Sequence, residues 1–266
     1  MSVADSFPSS PVVLVTGGAK RLGRAFCLAF AKAGWRIICH YNSSKTEALQ
    51  TQQMVQALGV QCLLVQLDLN LADAHEQLLN TCQGQALGLP QCIVNNASVF
   101  EEDSAQTSTP AHMQAHFQTN TVLPLMLANG LAKRLQAAAN TQACVIHVLD
   151  QKVHNLNPDY FSYTVSKLAL ERSVALQAQA LAPQVRVCGL SPGLSFLSGP
   201  QTQDNFDQAA RINLLQRPID TTDIARTAVF IAENQALTGT TIQVDNGQHL
   251  VPLSRDVMFT ITPPSP

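Results

Sequence analysis

The chain has 266 residues, of which 46% are hydrophobic, and a formal net charge of -2. This length fits one α/β domain with a substantial core, and the weak net charge gives no support to a nucleic-acid or anionic-membrane surface. The longest apolar runs are far shorter than the ~18 residues of a membrane span, and residues 1–10 lack a signal-peptide pattern. We therefore expect a soluble, cytoplasmic protein that binds a small molecule, with neither nucleic acid nor membrane as a partner.

Seven cysteines are scattered along the chain, and no two of them show C-x-x-C spacing. Most fall inside apolar segments, which is typical of small buried side chains in a reducing compartment rather than of disulfides or a metal site. We expect no bound metal. The positions are Cys27, Cys39, Cys62, Cys82, Cys92, Cys144 and Cys188.

A short apolar run, Val12 to Val15, precedes a glycine-containing turn and an apolar pattern of helical period that begins at Leu22. This order predicts a strand, a turn and a helix. Gly17 and Gly23 carry no Cβ, so the main chain of the turn can approach a phosphate at the helix N-terminus. The turn suits a dinucleotide pyrophosphate, although its spacing is not G-x-G-x-x-G and an ordinary strand-to-helix connection has the same pattern.

The tip of the second predicted strand, Arg36 to Tyr41, bears on the choice of cofactor. In dinucleotide folds an acidic residue at this tip binds the adenine ribose hydroxyls and repels a 2′-phosphate, and none is present here. Polar tip residues together with Arg21 suit a 2′-phosphate, which favours NADPH over NADH. Ser44 and Glu47 also form a capping-box pattern for the next helix, and both roles are compatible. The tip residues are His40, Tyr41, Asn42, Ser43 and Ser44.

Strand and helix patterns continue to alternate along the chain, with short connections between them. The alternation predicts an α/β fold in which a doubly wound parallel sheet of about seven strands is covered by helices on both faces. We expect one domain over residues 11–250, an N-terminal tail over 1–10 and a C-terminal tail over 251–266. Further strands are predicted near 60–66, 91–98, 143–149, 185–190 and 239–247, and helices near 44–58, 72–83, 111–138, 163–181 and 223–233.

Small polar residues form the end of the fourth predicted strand, in the segment Asn95-Asn96-Ala97-Ser98. At the carboxyl edge of a central strand such residues can approach a cofactor, although the segment also fits a plain turn. Phe100 follows this segment, where ordinary loop packing accounts for an aromatic side chain. Asn120 lies in a long helical pattern that is broken near Pro124, where it has a functional role or only caps or kinks the helix.

Asp150, Tyr163 and Lys167 form the candidate catalytic group. Asp150 directly follows the fifth predicted strand, and the spacing of four places the Tyr163 phenol and the Lys167 ammonium on one helical face. A nearby cation is expected to lower the pKa of the phenol from about 10, which makes Tyr163 a candidate proton donor. Tyr160 has no lysine four residues later and is expected to be loop or substrate wall.

A Pro-Gly turn follows the sixth predicted strand, and a polar segment follows the turn. Pro192 and Gly193 form this turn and Ser195 follows it, and the pattern alone fits a plain turn. The polar segment Phe196 to Asp207 is expected to be a mobile lid over the substrate.

Together these motifs resemble the short-chain dehydrogenase/reductase superfamily: the T-G-x-x-x-R-x-G turn at 16–23, N-N-A at 95–97 and Y-x-x-x-K at 163–167. Arg21 and Ser98 stand where most members have glycine, and Asp150 stands where most have serine. All three resemble the pteridine reductase branch. The resemblance covers residues 11 to 250 and implies a single-domain Rossmann-type fold and a homotetramer or homodimer.

The resemblance also implies NADPH as the cofactor and a role for each matching residue. Asn120 would hold a water of the proton relay, Asp68 would lie next to the adenine ring, and Phe100 would stack on a pterin. Expected substrate contacts are Arg21, Ser98, Phe100, Asp150 and Tyr163. Expected cofactor contacts are Gly17, Arg21, Leu22, Gly23, His40, Tyr41, Asn42, Ser43, Ser44, Asp68, Leu69, Asn96, Ala97, Ser98, Tyr163, Lys167, Pro192, Gly193 and Ser195.

The favoured hypothesis is NADPH-dependent reduction of a dihydropterin, of the dihydrobiopterin, dihydromonapterin or dihydrofolate type, to the tetrahydro form. Tyr163 and Asp150 would supply the proton, while Lys167 would tune the phenol and hold the nicotinamide ribose. One alternative is an NADPH-dependent carbonyl reductase of the same superfamily, acting on 3-oxoacyl thioesters or small ketones. Another is a dinucleotide-binding sensor without turnover, although a pure binder has no use for an activated phenol.

Overall fold

The apolar runs of the sequence form one parallel sheet at the centre of the computed structural model, which describes residues 10–85, 87–137, 142–199 and 201–261. The sheet has seven strands in the order β3-β2-β1-β4-β5-β6-β7, so the predicted doubly wound sheet is confirmed. The strands are β1 Val12–Val15, β2 Arg36–Tyr41, β3 Cys62–Gln66, β4 Cys92–Asn95, β5 Ala143–Val148, β6 Val185–Pro192 and β7 Thr241–Val244.

Helices lie on both faces of this sheet. Alternate residues of β1 face opposite sides of the sheet and join different cores. Val13 and Val15 pack with the helices at 21–32 and 221–233, whereas Val12 and Leu14 pack with the helices at 74–84 and 123–137. Because both faces are buried, β1 is a continuous apolar run rather than an alternating one. The helices are α1 Arg21–Lys32, α2 Lys45–Gln56, α3 Ala74–Gly84, α4 Pro110–Phe117, α5 Leu123–Ala137, α6 Phe161–Leu181, α7 Gln203–Ala209, α8 Thr221–Glu233 and α9 Val257–Thr260.

The long helical pattern predicted over 111–138 is two helices joined by a π-helical turn, Gln118–Val122. Pro124 follows this turn and cannot donate a backbone hydrogen bond, so the regular ladder is interrupted there. Asn120 lies inside the π turn. The predicted break is therefore confirmed, and it places Asn120 facing the sheet edge where the strands end.

The capping box expected at Ser44 is wrong. Ser44 occupies the N-cap position of α2, but its side chain accepts no capping hydrogen bond. Its ψ of 58° departs from the extended backbone that a capping side chain normally uses. The first turn of α2 instead begins with backbone contacts, in which the amides of Lys45 and Ala48 donate to the carbonyls of Ser43 and Ser44.

The segment from Val251 to Ile261, expected to be part of a tail, folds against the body of the protein. Helix α9 buries Val257 and Met258, and the Arg255 guanidinium binds the Asp159 carboxylate at 2.8 and 2.9 Å. The tail expectation is therefore wrong for this stretch. Residues 1–9 and 262–266, the rest of the two expected tails, lie outside the described residues.

Gly23 is needed by the turn itself. A Cβ built at Gly23 would lie 2.0 Å from the Gly17 carbonyl oxygen, so the start of α1 passes directly over the end of β1. Gly17 has φ of +62°, a left-handed conformation that favours glycine. Both glycines thus serve the close packing of the turn, in addition to the phosphate approach expected from the sequence.

We expect Gly23→Ala to lower the free energy of unfolding by about 2 kcal/mol or more, because the added methyl group overlaps backbone that cannot move aside. Gly84→Ala is the matched control, since a Cβ there meets nothing within 4 Å. Urea unfolding of both variants measures the difference. Equal stability of Gly23→Ala and the parent protein would contradict this account of the turn.

Candidate active site

A cavity of about 640 Å³ lies at the carboxyl edge of the sheet, where the strand ends converge. This is the edge at which doubly wound sheets bind their ligands. Most of the predicted site residues line it. They are Gly17, Arg21, Leu22, Gly23, His40, Asn42, Asp68, Leu69, Asn96, Ala97, Ser98, Phe100, Asp150, Tyr163, Lys167, Pro192, Gly193 and Ser195.

Asp150 and Tyr163 meet in this cavity. The Tyr163 hydroxyl donates a hydrogen bond to Asp150 Oδ2 at 2.7 Å, and Asp150 Oδ1 accepts one from the backbone amide of Lys152 at 2.8 Å. One carboxylate oxygen therefore caps the short 3₁₀ turn Gln151–Val153 after β5, and the other faces the phenol. Asp150 can therefore cap this turn and contact the phenol at the same time.

Lys167 lies one helical turn below Tyr163. Its ammonium donates to the Val148 carbonyl at 2.7 Å and lies 5.8 Å from the centre of the Tyr163 ring. An ammonium has three donors, so donors remain for a ligand. Helix α6, which carries both side chains, is buried along this face.

The expected lowering of the Tyr163 pKa by Lys167 is wrong. Burial, aided by the Asp150 carboxylate, raises the pKa of Tyr163 well above 10. Burial also raises the pKa of Asp150 and lowers the pKa of Lys167 to about 8. Desolvation disfavours every charge here and outweighs the attraction of the cation. Tyr163 is therefore a protonated phenol at neutral pH.

The N-terminus of α6 is held by Asp103, which sequence analysis missed. Tyr160, at the N-cap position, has a left-handed backbone and no capping side-chain bond. Asp103 instead accepts hydrogen bonds from the backbone amide of Ser162, at 3.0 Å, and from its hydroxyl, and it also contacts His112 Nδ1 at 3.1 Å. A carboxylate also stabilises a helix N-terminus electrostatically, so Asp103 fixes the start of α6, the helix that carries Tyr163 and Lys167.

Phe100 contacts the ring of Tyr163. Its ring stacks on Tyr160 with centroids 4.1 Å apart, and it meets Tyr163 edge to face at 4.6 Å. Phe100 is 36% exposed, whereas Tyr160 is buried and donates its hydroxyl to the Met258 sulfur at 2.9 Å. Tyr160 thus supports Phe100 from behind and does not itself line the cavity.

The side chain of Asn120 is fully engaged by the protein. Oδ1 accepts from Ser98 Oγ at 3.0 Å and from the Val99 amide at 2.8 Å, while Nδ2 donates to the Val99 carbonyl and Ser166 Oγ, both at 3.0 Å. These four bonds leave nothing on the side chain for the expected water. The amide instead joins the loop of Ser98 and Val99 to Ser166 of α6.

His40 ties the glycine turn to the third strand. Its Nδ1 accepts from the Gly17 amide at 3.1 Å, and Nε2 contacts the Leu67 carbonyl at 3.0 Å. Burial lowers the pKa of His40 to about 4, so the ring is neutral at pH 7. The imidazole therefore positions the turn and brings no positive charge to a 2′-phosphate.

The remaining tip residues divide into two groups. Asn42 lines the cavity, whereas Tyr41 is buried beside Ala19 and Ala48, and neither Ser43 nor Ser44 lines the cavity. Lys20, which sequence analysis missed although it is adjacent to Arg21, is exposed and lines the cavity. Its position before the uncapped N-terminus of α1 is the signal that could have identified it.

Arg21 reaches across the cavity to the segment expected to be a lid. Its guanidinium donates to the Leu197 carbonyl at 2.8 Å and lies 5.2 Å from the centre of the Phe196 ring. Gln203–Ala209, at the end of this segment, forms α7. Arg21 thus connects the glycine turn to the far wall of the cavity.

The described residues were also compared with the requirements of a membrane span, a metal site and a disulfide. Within the described residues, no helix is long and apolar enough to cross a membrane, and no group of His, Cys, Asp and Glu side chains is arranged to hold a metal ion. All seven cysteines are free and buried, as expected from their positions in apolar segments.

The chain is similar to known proteins over about nine tenths of its length. Residues 17–249 match the family model described as enoyl-(acyl carrier protein) reductase. The chain is 28% identical to pteridine reductase 1 of Leishmania tarentolae, over 91% of this chain and 98% of that protein. It is 25% identical to a dihydromonapterin reductase of Escherichia coli, over 90% of this chain and 96% of that protein.

A solved structure is similar over nearly the whole domain. The crystal structure of FolM alternative dihydrofolate reductase 1 from Brucella canis, complexed with NADP, has a TM-score of 0.86 and 34% identity, and the match covers 91% of this chain and 95% of that one. The chain therefore belongs to the short-chain dehydrogenase/reductase superfamily. Within it, the chain falls in the branch of pteridine and dihydromonapterin reductases.

We expect the protein to lose stability in acid as two buried imidazoles take up protons. Burial lowers the pKa of His147, as of His40, to about 4. Between pH 6.5 and 4 the unfolded chain therefore binds more protons than the folded one, and the free energy of unfolding falls by up to about 1.4 kcal/mol per pH unit for each imidazole. Urea unfolding at pH 7, 6 and 5 measures this slope.

His147→Gln removes one of the two groups and should reduce the slope. His112, whose pKa is raised by Asp103 and Glu101, acts in the opposite sense but only above pH 6.5, because below that its contribution is constant. An unchanged slope in His147→Gln would show that the neutral buried imidazole is not what sets the acid sensitivity.

Proposed function

We propose that this protein catalyses NADPH-dependent reduction of a dihydropterin to the tetrahydro form. The observation that carries the proposal is the contact of Asp150 and Tyr163 at 2.7 Å, directly beside the exposed ring of Phe100. A carboxyl paired with a phenol suits protonation of a ring nitrogen, and an aromatic plate suits a flat heterocycle. The named activities of the relatives, pteridine and dihydromonapterin reduction, support the same class of substrate.

The end of the cavity at the glycine turn fits a dinucleotide phosphate. Helix α1 begins at this turn without a capping side chain, so its first backbone amides are free to bind an anion. Lys20 and Arg21 add two cations, and no carboxylate stands at the tip of β2 to repel a 2′-phosphate. The residues present therefore fit NADPH, and the similar Brucella structure is complexed with NADP.

NADPH, when bound, supplies the hydride that reduces a C=N carbon of the pterin. Lys167 would hold the nicotinamide ribose through the ammonium donors that Val148 leaves free. Tyr163 remains protonated because burial raises its pKa, so it can donate to the adjacent ring nitrogen. Asp150, whose pKa burial also raises, would return a proton to the Tyr163 oxygen.

The free, buried thiols of the protein are suited to a reducing compartment. All seven cysteines lack disulfide partners, which is typical of a reducing compartment, so we place the enzyme in the cytoplasm. A homotetramer or homodimer is the assembly that we expect from the superfamily. Size-exclusion chromatography with light scattering measures it directly.

We expect Tyr163→Phe to reduce kcat for dihydromonapterin by about 10² to 10⁴, because the variant lacks the proton donor. Asp150→Asn should reduce kcat by about 10-fold or more, since Asn keeps the cap of the 3₁₀ turn but carries no carboxyl proton. NADPH binding, measured by fluorescence quenching, is the control and should persist in both variants.

The variant Asp150→Ser distinguishes two hypotheses for the activity, a pterin reductase and a carbonyl reductase of the same superfamily. Pterin reduction should fall, whereas reduction of a small ketone would tolerate the serine that most superfamily members carry. If the parent protein oxidises no NADPH with dihydrobiopterin, dihydromonapterin or dihydrofolate, the pterin proposal is wrong.

We expect Lys20→Ala to raise the KM for NADPH by about 10-fold, because a charge-assisted contact to phosphate is worth about 1.5 to 3 kcal/mol. The KM for NADH should change less, since NADH lacks the 2′-phosphate. Lys32→Ala is the matched control: Lys32 is exposed at the opposite end of the same helix. An equal effect on both cofactors would place Lys20 at the pyrophosphate instead.

A further inference from the structure

The side chain of Gln151 is a polar group that neither the fold nor the proposed reaction uses. Gln151 directly follows Asp150, is 8% exposed and lines the cavity. Within the ranges that the structure describes, its Oε1 atom is buried without a hydrogen-bond partner. A buried polar atom left unpaired costs about 1 to 3 kcal/mol. Such an atom next to the reacting groups indicates a partner on the ligand.

The next residue along the chain, Lys152, forms an ion pair. Lys152 Nζ is 2.9 Å from Asp256 Oδ2 and 2.6 Å from Asn157 Oδ1, and both Lys152 and Asp256 line the cavity. Two partners leave one donor of the ammonium for a ligand. The carboxamide, the ammonium and the carboxylate line the same cavity and together offer donors and acceptors, which matches a hydroxyl group, itself both donor and acceptor.

The C-terminal segment forms the part of the cavity wall that contains Asp256. Val257 and Met258 line the cavity next to Asp256. The backbone amide of Asp256 donates to Asp159 Oδ2 at 2.7 Å, and Asn205 Nδ2 donates to the Met258 carbonyl at 3.0 Å. These contacts fix the wall to the body of the protein and to α7, so a long substituent on the substrate would have to displace them.

We propose that Gln151, with the Lys152 and Asp256 pair, forms a subsite that binds the hydroxyl groups of a short side chain on the pterin. The subsite makes the enzyme selective for hydroxylated dihydropterins over those with an apolar substituent. It rests on the proposed function. An apolar substituent would leave the carboxamide unpaired, and a site that hydrogen-bonds a hydroxyl discriminates strongly against the analogue that lacks it.

The test compares Gln151→Leu with the parent enzyme on two kinds of substrate. Dihydromonapterin carries side-chain hydroxyls, and 6-methyl-7,8-dihydropterin carries none. The parent should prefer dihydromonapterin by about 10-fold or more in kcat/KM. Gln151→Leu should lose this preference through a higher KM for dihydromonapterin, with kcat within about two-fold for both substrates. Gln151→Met, which keeps the length of the side chain, should behave alike.

Gln201→Leu is the matched control. Gln201 also lines the cavity, but its carboxamide is already bonded to the Ser198 amide and to Asn205 Oδ1. Its removal should change kcat/KM for the two substrates by the same factor. Equal losses on both substrates in Gln151→Leu, or no loss on either, would overturn the subsite.

A binding measurement separates failure of the subsite from failure of the proposed function. Oxidised monapterin and 6-methylpterin are fluorescent probes, and each is titrated against the protein saturated with NADP. If the parent turns over no dihydropterin, the proposed function fails. The subsite then stands if monapterin binds more tightly than 6-methylpterin and Gln151→Leu removes the difference. It falls if the parent shows no such difference.

Discussion

The hydrogen bond between Tyr163 and Asp150 is the contact on which the site depends. It joins helix α6 to the end of β5, and both side chains are withdrawn from water there. Desolvation raises both pKa values, so the phenol and the carboxyl each keep their protons to higher pH than the same groups would in water. Asp103 at the start of α6 and Lys167 below the phenol fix the helix in the register that this contact requires.

Much of this arrangement could be predicted because a parallel sheet brings its strand ends to one edge. Glycine after β1, the Asn segment after β4 and Asp150 after β5 are distant in the chain but adjacent in the fold. Helical spacing alone places Lys167 beside Tyr163. The residues that follow predicted strands were therefore found together at the cavity, whereas Tyr41, Ser43 and Ser44 do not line it, because β2 turns Tyr41 inward and α2 starts immediately afterwards.

Burial and side-chain partners could not be read from the sequence. Spacing suggested that Lys167 lowers the Tyr163 pKa, but the sign depends on how much water reaches the phenol. Likewise, Asn120 has the expected position, yet its four protein partners replace the expected water. Lys20 was missed because its direction depends on how α1 begins, and Gln151 because an unpaired amide is visible only when every neighbouring atom has been placed.

Helix α9 lies beyond residue 249, where the match to the family model ends. The Met258 sulfur nevertheless accepts a hydrogen bond from the Tyr160 hydroxyl, and the Tyr160 ring in turn stacks on Phe100. The region matched by the family model therefore leaves out Met258, which contacts the tyrosine behind the Phe100 ring. A substitution at Met258 would reach the Phe100 ring through Tyr160, so this last stretch can reshape the cavity wall while Asp150, Tyr163 and Lys167 stay as they are.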